Sequence, residues 1–239
     1  MKFMVSVTNS DEAIEAINGG ADIIDIKNPA EGALGASPPW ITRRIIQCAG
    51  SCKVSATIGD MPNLPGTASL AALAAAQLKV DYVKIGMLGP RNVEEAEILT
   101  GTVVRTMKEF RLGAKVVIAG YADYENQGCL NPMLLPKVAR EADAWGVLID
   151  IREKSRRNLF DYYAPEEIKK YVQESHKLGL KTALAGSLGK EDTQIIFLTG
   201  ADIIGARRKV CKIQNNESTI DTNKVREMVN ILKMTNTLR

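Results

Sequence analysis

The chain has 239 residues, 45% hydrophobic and 25% charged, with a formal net charge of +3. That suits one large soluble domain or two small ones, and the absence of a basic stripe interleaved with aromatics argues against nucleic acid as a partner. No apolar run is long enough to span a bilayer, which argues against a membrane protein.

Phe3 to Val7 alternate as a first strand, placed too close to the start to leave room for a signal peptide, so a cytoplasmic location is expected. Ser10 is predicted to cap a helix from Asp11 to about Ile17, ended by Gly19-Gly20. The stretch Ala21-Asp22-Ile23-Ile24-Asp25-Ile26-Lys27-Asn28-Pro29 reads as strand two. Ile24 and Ile26 fall on one face, Asp25 and Lys27 on the other. A carboxylate and an ammonium inside a sheet are anomalous unless paired or functional. Pro38-Pro39 opens a helix to about Cys48, and strand three is Lys53 to Ile58, ending in the turn-forming loop Gly59 to Gly66. An alanine-rich helix from Ala68 to about Leu78 is expected to pack closely on the sheet.

Strand four, Asp81 to Gly86, puts Val83 and Ile85 on one face and Tyr82 and Lys84 on the other. A helix from about Val93 to Phe110 leads to strand five, Lys115 to Gly120, with Tyr121 and Asp123 just beyond it. A helix from about Met133 to Ala142 precedes strand six, Trp145 to Asp150, and a polar loop from Arg152 to Asn158 follows. The remaining units are a helix from Glu166 to about Lys177, strand seven from Lys181 to Ala185, a helix from about Glu191 to Leu198, strand eight from Asp202 to Gly205, and a last helix from about Asn223 to Lys233. Of the four cysteines, Cys48 and Cys52 are the only close pair; buried reduced thiols are favoured there over zinc or a disulfide.

Strict strand–helix alternation implies parallel strands with right-handed crossovers. Eight such units predict a single-domain (β/α)8 TIM barrel over residues 1–239. An echo supports it: Gly20-Ala21-Asp22-Ile23-Ile24-Asp25 returns as Gly200-Ala201-Asp202-Ile203-Ile204-Gly205. The runner-up, an open doubly wound sheet, lacks a dinucleotide fingerprint.

Strands two, four and six alternate round such a barrel, so Asp25, Lys27, Lys84 and Asp150, with Lys154 in the following loop, are expected at one mouth. A lysine becomes an amine nucleophile when desolvation or a neighbouring cation lowers its pKa. The aspartates oppose this, and the sequence does not identify the neutral lysine. Ion pairs at the rim are the plainer reading for any one of these lysines; three together with two carboxylates favour function. Gly186, Ser187, Gly205 and Arg207 close strands seven and eight, where barrels hold a substrate phosphate. Ordinary strand-to-helix turns use the same residues. His176 is the only histidine and lies on a helix, which argues against Ser-His or metal-histidine chemistry.

The run Gly19 to Pro29 with Glu31-Gly32 and Leu34-Gly35-Ala36 resembles the (5-formylfuran-3-yl)methyl phosphate synthase family of methanofuran biosynthesis. So do Val54 to Asp60, Pro65-Gly66-Thr67, Asp81 to Gly86, Ala119 to Asp123 and Ala183 to Ser187. The resemblance implies a class I aldolase-like lyase. Two molecules of glyceraldehyde 3-phosphate, a small phosphorylated aldehyde, would condense with loss of phosphate and water. It further implies that Lys27 forms the Schiff base, that Lys84 is the proton acceptor, that Asp25, Asp150 and Lys154 stand in the site, and that neither metal nor organic cofactor is used. Arg208 and Lys209 depart from the family's small residues after strand eight. Another Schiff-base aldolase acting on a sugar phosphate, or a non-catalytic phosphate-binding barrel, stays open as an alternative. An outer face with Trp40, Met133, Leu134 and Leu135 points to a homo-oligomer.

Overall fold

A computed structural model describes residues 1–153, 157–214 and 217–236. Eight parallel strands close a barrel in chain order: β1 (Lys2–Val7), β2 (Ile23–Ile26), β3 (Lys53–Asp60), β4 (Tyr82–Gly86), β5 (Lys115–Tyr121), β6 (Gly146–Asp150), β7 (Lys181–Leu184) and β8 (Ile203–Ala206). The predicted TIM barrel is the fold. Round it run α1 (Ser10–Gly19), α2 (Pro39–Cys48), α3 (Pro65–Gln77), α4 (Val93–Glu109), the short α5 (Tyr124–Gln127), α6 (Leu135–Glu141), α7 (Pro165–Lys177) and α8 (Thr193–Thr199). After β8 come an antiparallel hairpin, β9 (Cys211–Gln214) with β10 (Glu217–Ile220), and α9 (Thr222–Asn236).

Strand parity divides the apolar residues into two layers. Val5, Ile24, Ile26, Val83, Ile85, Ile118, Val147 and Ile204 face outward under the helices. Met4, Ile23, Tyr82, Val117, Leu148 and Ile203 fill the barrel's interior. The Tyr82 and Trp145 rings, 5.0 Å apart, seal its N-terminal end. With an apolar floor, the next interior layer is the one that holds charge. The alanine run packs as expected, with Ala68, Ala72 and Ala76 of α3 buried.

The sequence echo has a structural meaning. Gly20 (φ 92°) and Gly200 (φ 84°) end α1 and α8 in the left-handed conformation that glycine adopts freely. Two residues on, an aspartate accepts a hydrogen bond from the first N–H groups of a neighbouring strand: Asp22 from Phe3 at 2.7 Å and Asp202 from Thr182 at 2.9 Å. Asp81 does the same for Val54 at 2.8 Å. His176 belongs to this end too, with Nε2 2.8 Å from Asp202.

Some expectations change. Asn9, not Ser10, caps α1, accepting from Glu12 N at 2.9 Å. The helix expected from Met133 splits into a 3-10 turn, Pro132–Leu134, and α6, because Pro136 lies in the first turn, where it opens an α-helix. Cys48 is exposed rather than buried, and Cys52 is half-buried; both thiols are free. Leu135 is core, while Trp40 and Leu134 are exposed. No helix among the described residues is long and apolar enough to cross a membrane.

Candidate active site

The C-terminal mouth of the barrel encloses a cavity of about 330 Å³. Asp25 reaches it from β2, Lys84 from β4 and Asp150 from the end of β6. Lys27 follows β2 directly, its N–H donating to Val7 O at 3.1 Å. The strand register puts Ser6 beside Asp25 on β1 and Ser55 beside it on β3. Asp25, Lys27, Lys84 and Asp150 are the residues that the sequence singled out for this mouth. Lys154 lies outside the described residues.

Lys84 Nζ donates to Asp25 Oδ2 at 2.8 Å, and the two side chains are only 4% and 1% exposed. Ser6 Oγ donates to the same Oδ2 at 2.9 Å. The other oxygen, Asp25 Oδ1, is buried without a hydrogen-bond partner. Lys27 makes no ion pair among the described residues. Burial is the main force on it and pulls its pKa below the ordinary lysine value. Asp150 and then Asp25 push it back up, while Lys84 and Arg207 push it down. The two lysines are thus differentiated by surroundings: Lys84 is held in a buried ion pair, and Lys27 is a half-buried amine in the cavity with its pKa lowered by burial. Desolvation outweighs the neighbouring cations, a ranking the sequence left undecided.

The loops after β7 and β8 form the cationic side. Gly186 (φ 98°) and Ser187 (φ 58°) are consecutive left-handed residues. Among the described residues, the N–H groups of Ser187 and Leu188 donate to no acceptor. Such turns present N–H groups to an anion. Gly205 has a different reason to be glycine: a Cβ there would lie 2.9 Å from Met4 and 3.3 Å from Ala185 inside the barrel. Arg207, expected on the phosphate, lines the cavity but gives its guanidinium to Glu12, with bonds of 2.7 and 2.9 Å, and to Ser6 O at 3.0 Å. Glu12 also holds Thr8 N and Oγ1. The next residue, Arg208, bonds Ser187 Oγ instead, and Lys209 pairs with Glu191.

Asp60, read from sequence only as a turn former, ties several loops together. Its carboxylate accepts from Ala33 N and Leu34 N, each at 3.0 Å, and from Tyr121 OH at 2.5 Å. Arg152 Nε lies 3.6 Å away. Burial, then Asp60's charge, lifts the Tyr121 hydroxyl well above the usual tyrosine pKa. Asp123 accepts from Arg152 N and Glu153 N, both at 2.9 Å, so it fixes the start of the β6 loop. Ser6, Glu12 and Asp60 were the residues not picked out. The available signal for Ser6 was its parity with Met4 on an inward-facing strand. Among the described residues, no cluster of three or more His, Cys, Asp or Glu side chains is spaced to hold a metal ion.

Comparison with known proteins adds the family. The chain is similar to (5-formylfuran-3-yl)methyl phosphate synthase of Methanopyrus kandleri, 42% identical over 97% of this chain and 98% of that one. The enzyme so named from Methanocaldococcus jannaschii is 43% identical over 98% and 100%. That of Archaeoglobus fulgidus is 45% identical over 89% and 91%. Among solved structures, 3-hexulose-6-phosphate synthase of Salmonella typhimurium superposes with a TM-score of 0.67 at 16% identity, over 98% of this chain and all of that one. Phosphoribosyl anthranilate isomerase of Thermus thermophilus gives 0.65 at 16% over the whole of both. At that identity these two speak for the fold alone. The family model described as 4-HFC-P synthase matches residues 3–229. On that match and on the full-length relatives above 40% identity, the chain belongs to the 4-HFC-P synthase family.

Proposed function

We propose that this barrel condenses two molecules of glyceraldehyde 3-phosphate into (5-formylfuran-3-yl)methyl phosphate, a step toward methanofuran, through a Schiff base on Lys27. It would act as a carbon–oxygen lyase on phosphates. The observation that carries the reading is the state of Lys27: an amine in the cavity, without an ion-pair partner among the described residues and pulled toward its neutral, nucleophilic form by burial. The name shared by the full-length relatives supports the product; the glyceraldehyde 3-phosphate substrate is part of the proposal.

Attack of the Lys27 amine on the aldehyde, with loss of water, gives an iminium. The iminium acidifies the neighbouring C–H bond, because the electron pair released there can move onto nitrogen. Proton loss gives an enamine, whose electron pair can in turn expel phosphate from the next carbon. A conjugated acceptor for the second triose results. The Asp25–Lys84 pair and Asp150 stand round that chemistry as proton carriers. Gly186, Ser187 and Arg208 offer an anion site to a phosphate that stays bound. Arg207 braces the site through Glu12.

The test is mass spectrometry after incubation with glyceraldehyde 3-phosphate and borohydride. A stable adduct on Lys27, with a product absorbing in the near ultraviolet as a furan aldehyde does, is expected. No adduct on any lysine of folded protein would sink the reading in favour of a binding protein. An adduct without the furan absorbance would favour a second reading: another Schiff-base aldolase on a sugar phosphate, for which Arg208 and Lys209 beside the phosphate turn leave room.

A further inference from the structure

Two trioses bring two phosphates to the barrel, and the product for which the relatives are named keeps one. A second anion therefore has to be held until it leaves. Among the described residues, the cations that line the cavity are Lys27, Lys84, Arg152, Arg207, Arg208 and Lys209. Lys84 is committed to Asp25, Arg207 to Glu12 and Lys209 to Glu191. Lys27 is the amine of the Schiff base, and Arg208 stands at the Gly186–Ser187 turn. Arg152 is left. Its Nη1 donates to a neutral oxygen, Gln127 Oε1, at 2.8 Å. Its Nε lies 3.6 Å from Asp60 Oδ2, beyond hydrogen-bond reach, and the Asp60 carboxylate already accepts from Ala33 N, Leu34 N and Tyr121 OH. Nη2 donates to nothing among the described residues, and the side chain is 37% exposed. The Nη1–Nη2 end of the guanidinium thus keeps open N–H groups for a ligand. That end is also held in place. Asp123, itself buried, accepts from Arg152 N and Glu153 N, both at 2.9 Å, and from Gln127 Nε2 at 3.1 Å. One carboxylate fixes both the backbone of Arg152 and the side chain that steers its guanidinium.

We propose that the Nη1–Nη2 end of Arg152 is a second phosphate subsite, and that it receives the phosphate that is expelled. The proposal rests on the Schiff-base reading of Lys27. Arg152 follows β6 and the Gly186–Ser187 turn follows β7, so the two subsites stand on adjacent loops of one mouth. In the step itself, the C–O bond to the departing phosphate breaks and its electron pair leaves on the phosphate oxygen. The enamine pair becomes the C=C bond to the carbon left behind, and the nitrogen pair restores the iminium. The guanidinium keeps its proton throughout and meets the charge that develops on the leaving group with paired N–H donors. Asp150 and Glu153 line the same cavity, and their charges oppose a bound phosphate. That suits a subsite that must let its anion go.

Equilibrium dialysis with radiolabelled inorganic phosphate counts the subsites without any turnover. The wild type is expected to bind two phosphates per chain, and Arg152→Gln and Arg208→Ala one each. Arg152→Lys keeps the charge without the fork and is expected to hold the second phosphate more weakly, by on the order of tenfold. In parallel, phosphate release from glyceraldehyde 3-phosphate is followed colorimetrically, with borohydride trapping on Lys27. Arg152→Gln is expected to keep trapping within about threefold and to slow release by on the order of a hundredfold. One phosphate or none on the wild type would overturn the subsite. Two on Arg152→Gln would overturn it as well, since a residue that only braces the β6 loop leaves the count unchanged. Release at the wild-type rate in Arg152→Gln would overturn the assignment to the departing phosphate. A wild type that binds two phosphates but forms no adduct on Lys27 would bring down the Schiff-base reading and the expulsion step with it, while a count lowered to one by Arg152→Gln would leave the subsite itself standing.

Discussion

Replacing Lys84 by methionine should be among the most damaging single substitutions in the barrel. Methionine fills the volume of the lysine stem, so packing changes little, but the charge is lost. Asp25 is left as a fully buried carboxylate whose one remaining donor is Ser6. Breaking one side of a buried ion pair costs about 3–5 kcal/mol, because the other charge stays out of water without compensation. For a chain of this size each kcal/mol moves Tm by about 2–4 °C, so Lys84→Met should unfold about 6–20 °C below the wild type. Asp25→Asn with Lys84→Met removes both charges and should recover more than about 1 kcal/mol relative to the sum of the single variants. Thermal unfolding of the four proteins followed by circular dichroism gives the answer. A Tm within about 2 °C of wild type for Lys84→Met, or an additive cycle, would refute the reasoning.

Further expectations follow from the same geometry. Asp150→Asn removes the strongest force raising the Lys27 pKa, so the amine should titrate at lower pH than in the wild type; the pH dependence of its trinitrophenylation checks this, and no shift or an upward one would contradict it. Arg208→Ala should weaken competition by inorganic phosphate by on the order of tenfold, while Arg207→Lys should leave it within about threefold and lower Tm, since lysine cannot replace the forked contact with Glu12. Gly86→Ala would bring a Cβ to 2.3 Å from Tyr121 OH and 2.8 Å from Gly59 O. It should displace the tyrosine from Asp60 and cost about 1–3 kcal/mol, read by denaturant unfolding.

The fold was legible because buried parallel strands alternating with helices leave a repeated pattern, and because parity in Asp25-Ile26-Lys27 and Tyr82-Val83-Lys84 assigns faces without knowledge of neighbours. What parity cannot supply is which neighbour a charged group meets. Glu12 looked like any acidic residue in a helix's first turn, yet it is the partner of an arginine 195 positions away. Two adjacent arginines after β8 are indistinguishable by pattern; Glu12 takes the first, and the second turns to Ser187. The ranking of burial over Coulomb forces at Lys27 likewise depends on three-dimensional enclosure. The β9–β10 hairpin escaped notice because its alternation carries polar residues and sits after the eight repeats that satisfied the pattern.

The seam of the barrel has a consequence for how the protein is made. β1 is hydrogen-bonded on one side to β2, close in sequence, and on the other to β8, with Lys2 opposite Ile203. On a ribosome β7 waits only for the roughly twenty residues that separate it from β8, whereas the first strand waits through most of synthesis with one edge unpaired. Contacts this distant in sequence form slowly, and open strand edges invite pairing with other chains. The vulnerable interval in the life of this protein is the one before β8 emerges, and a nascent chain stalled there should be the species that chaperones or aggregates capture.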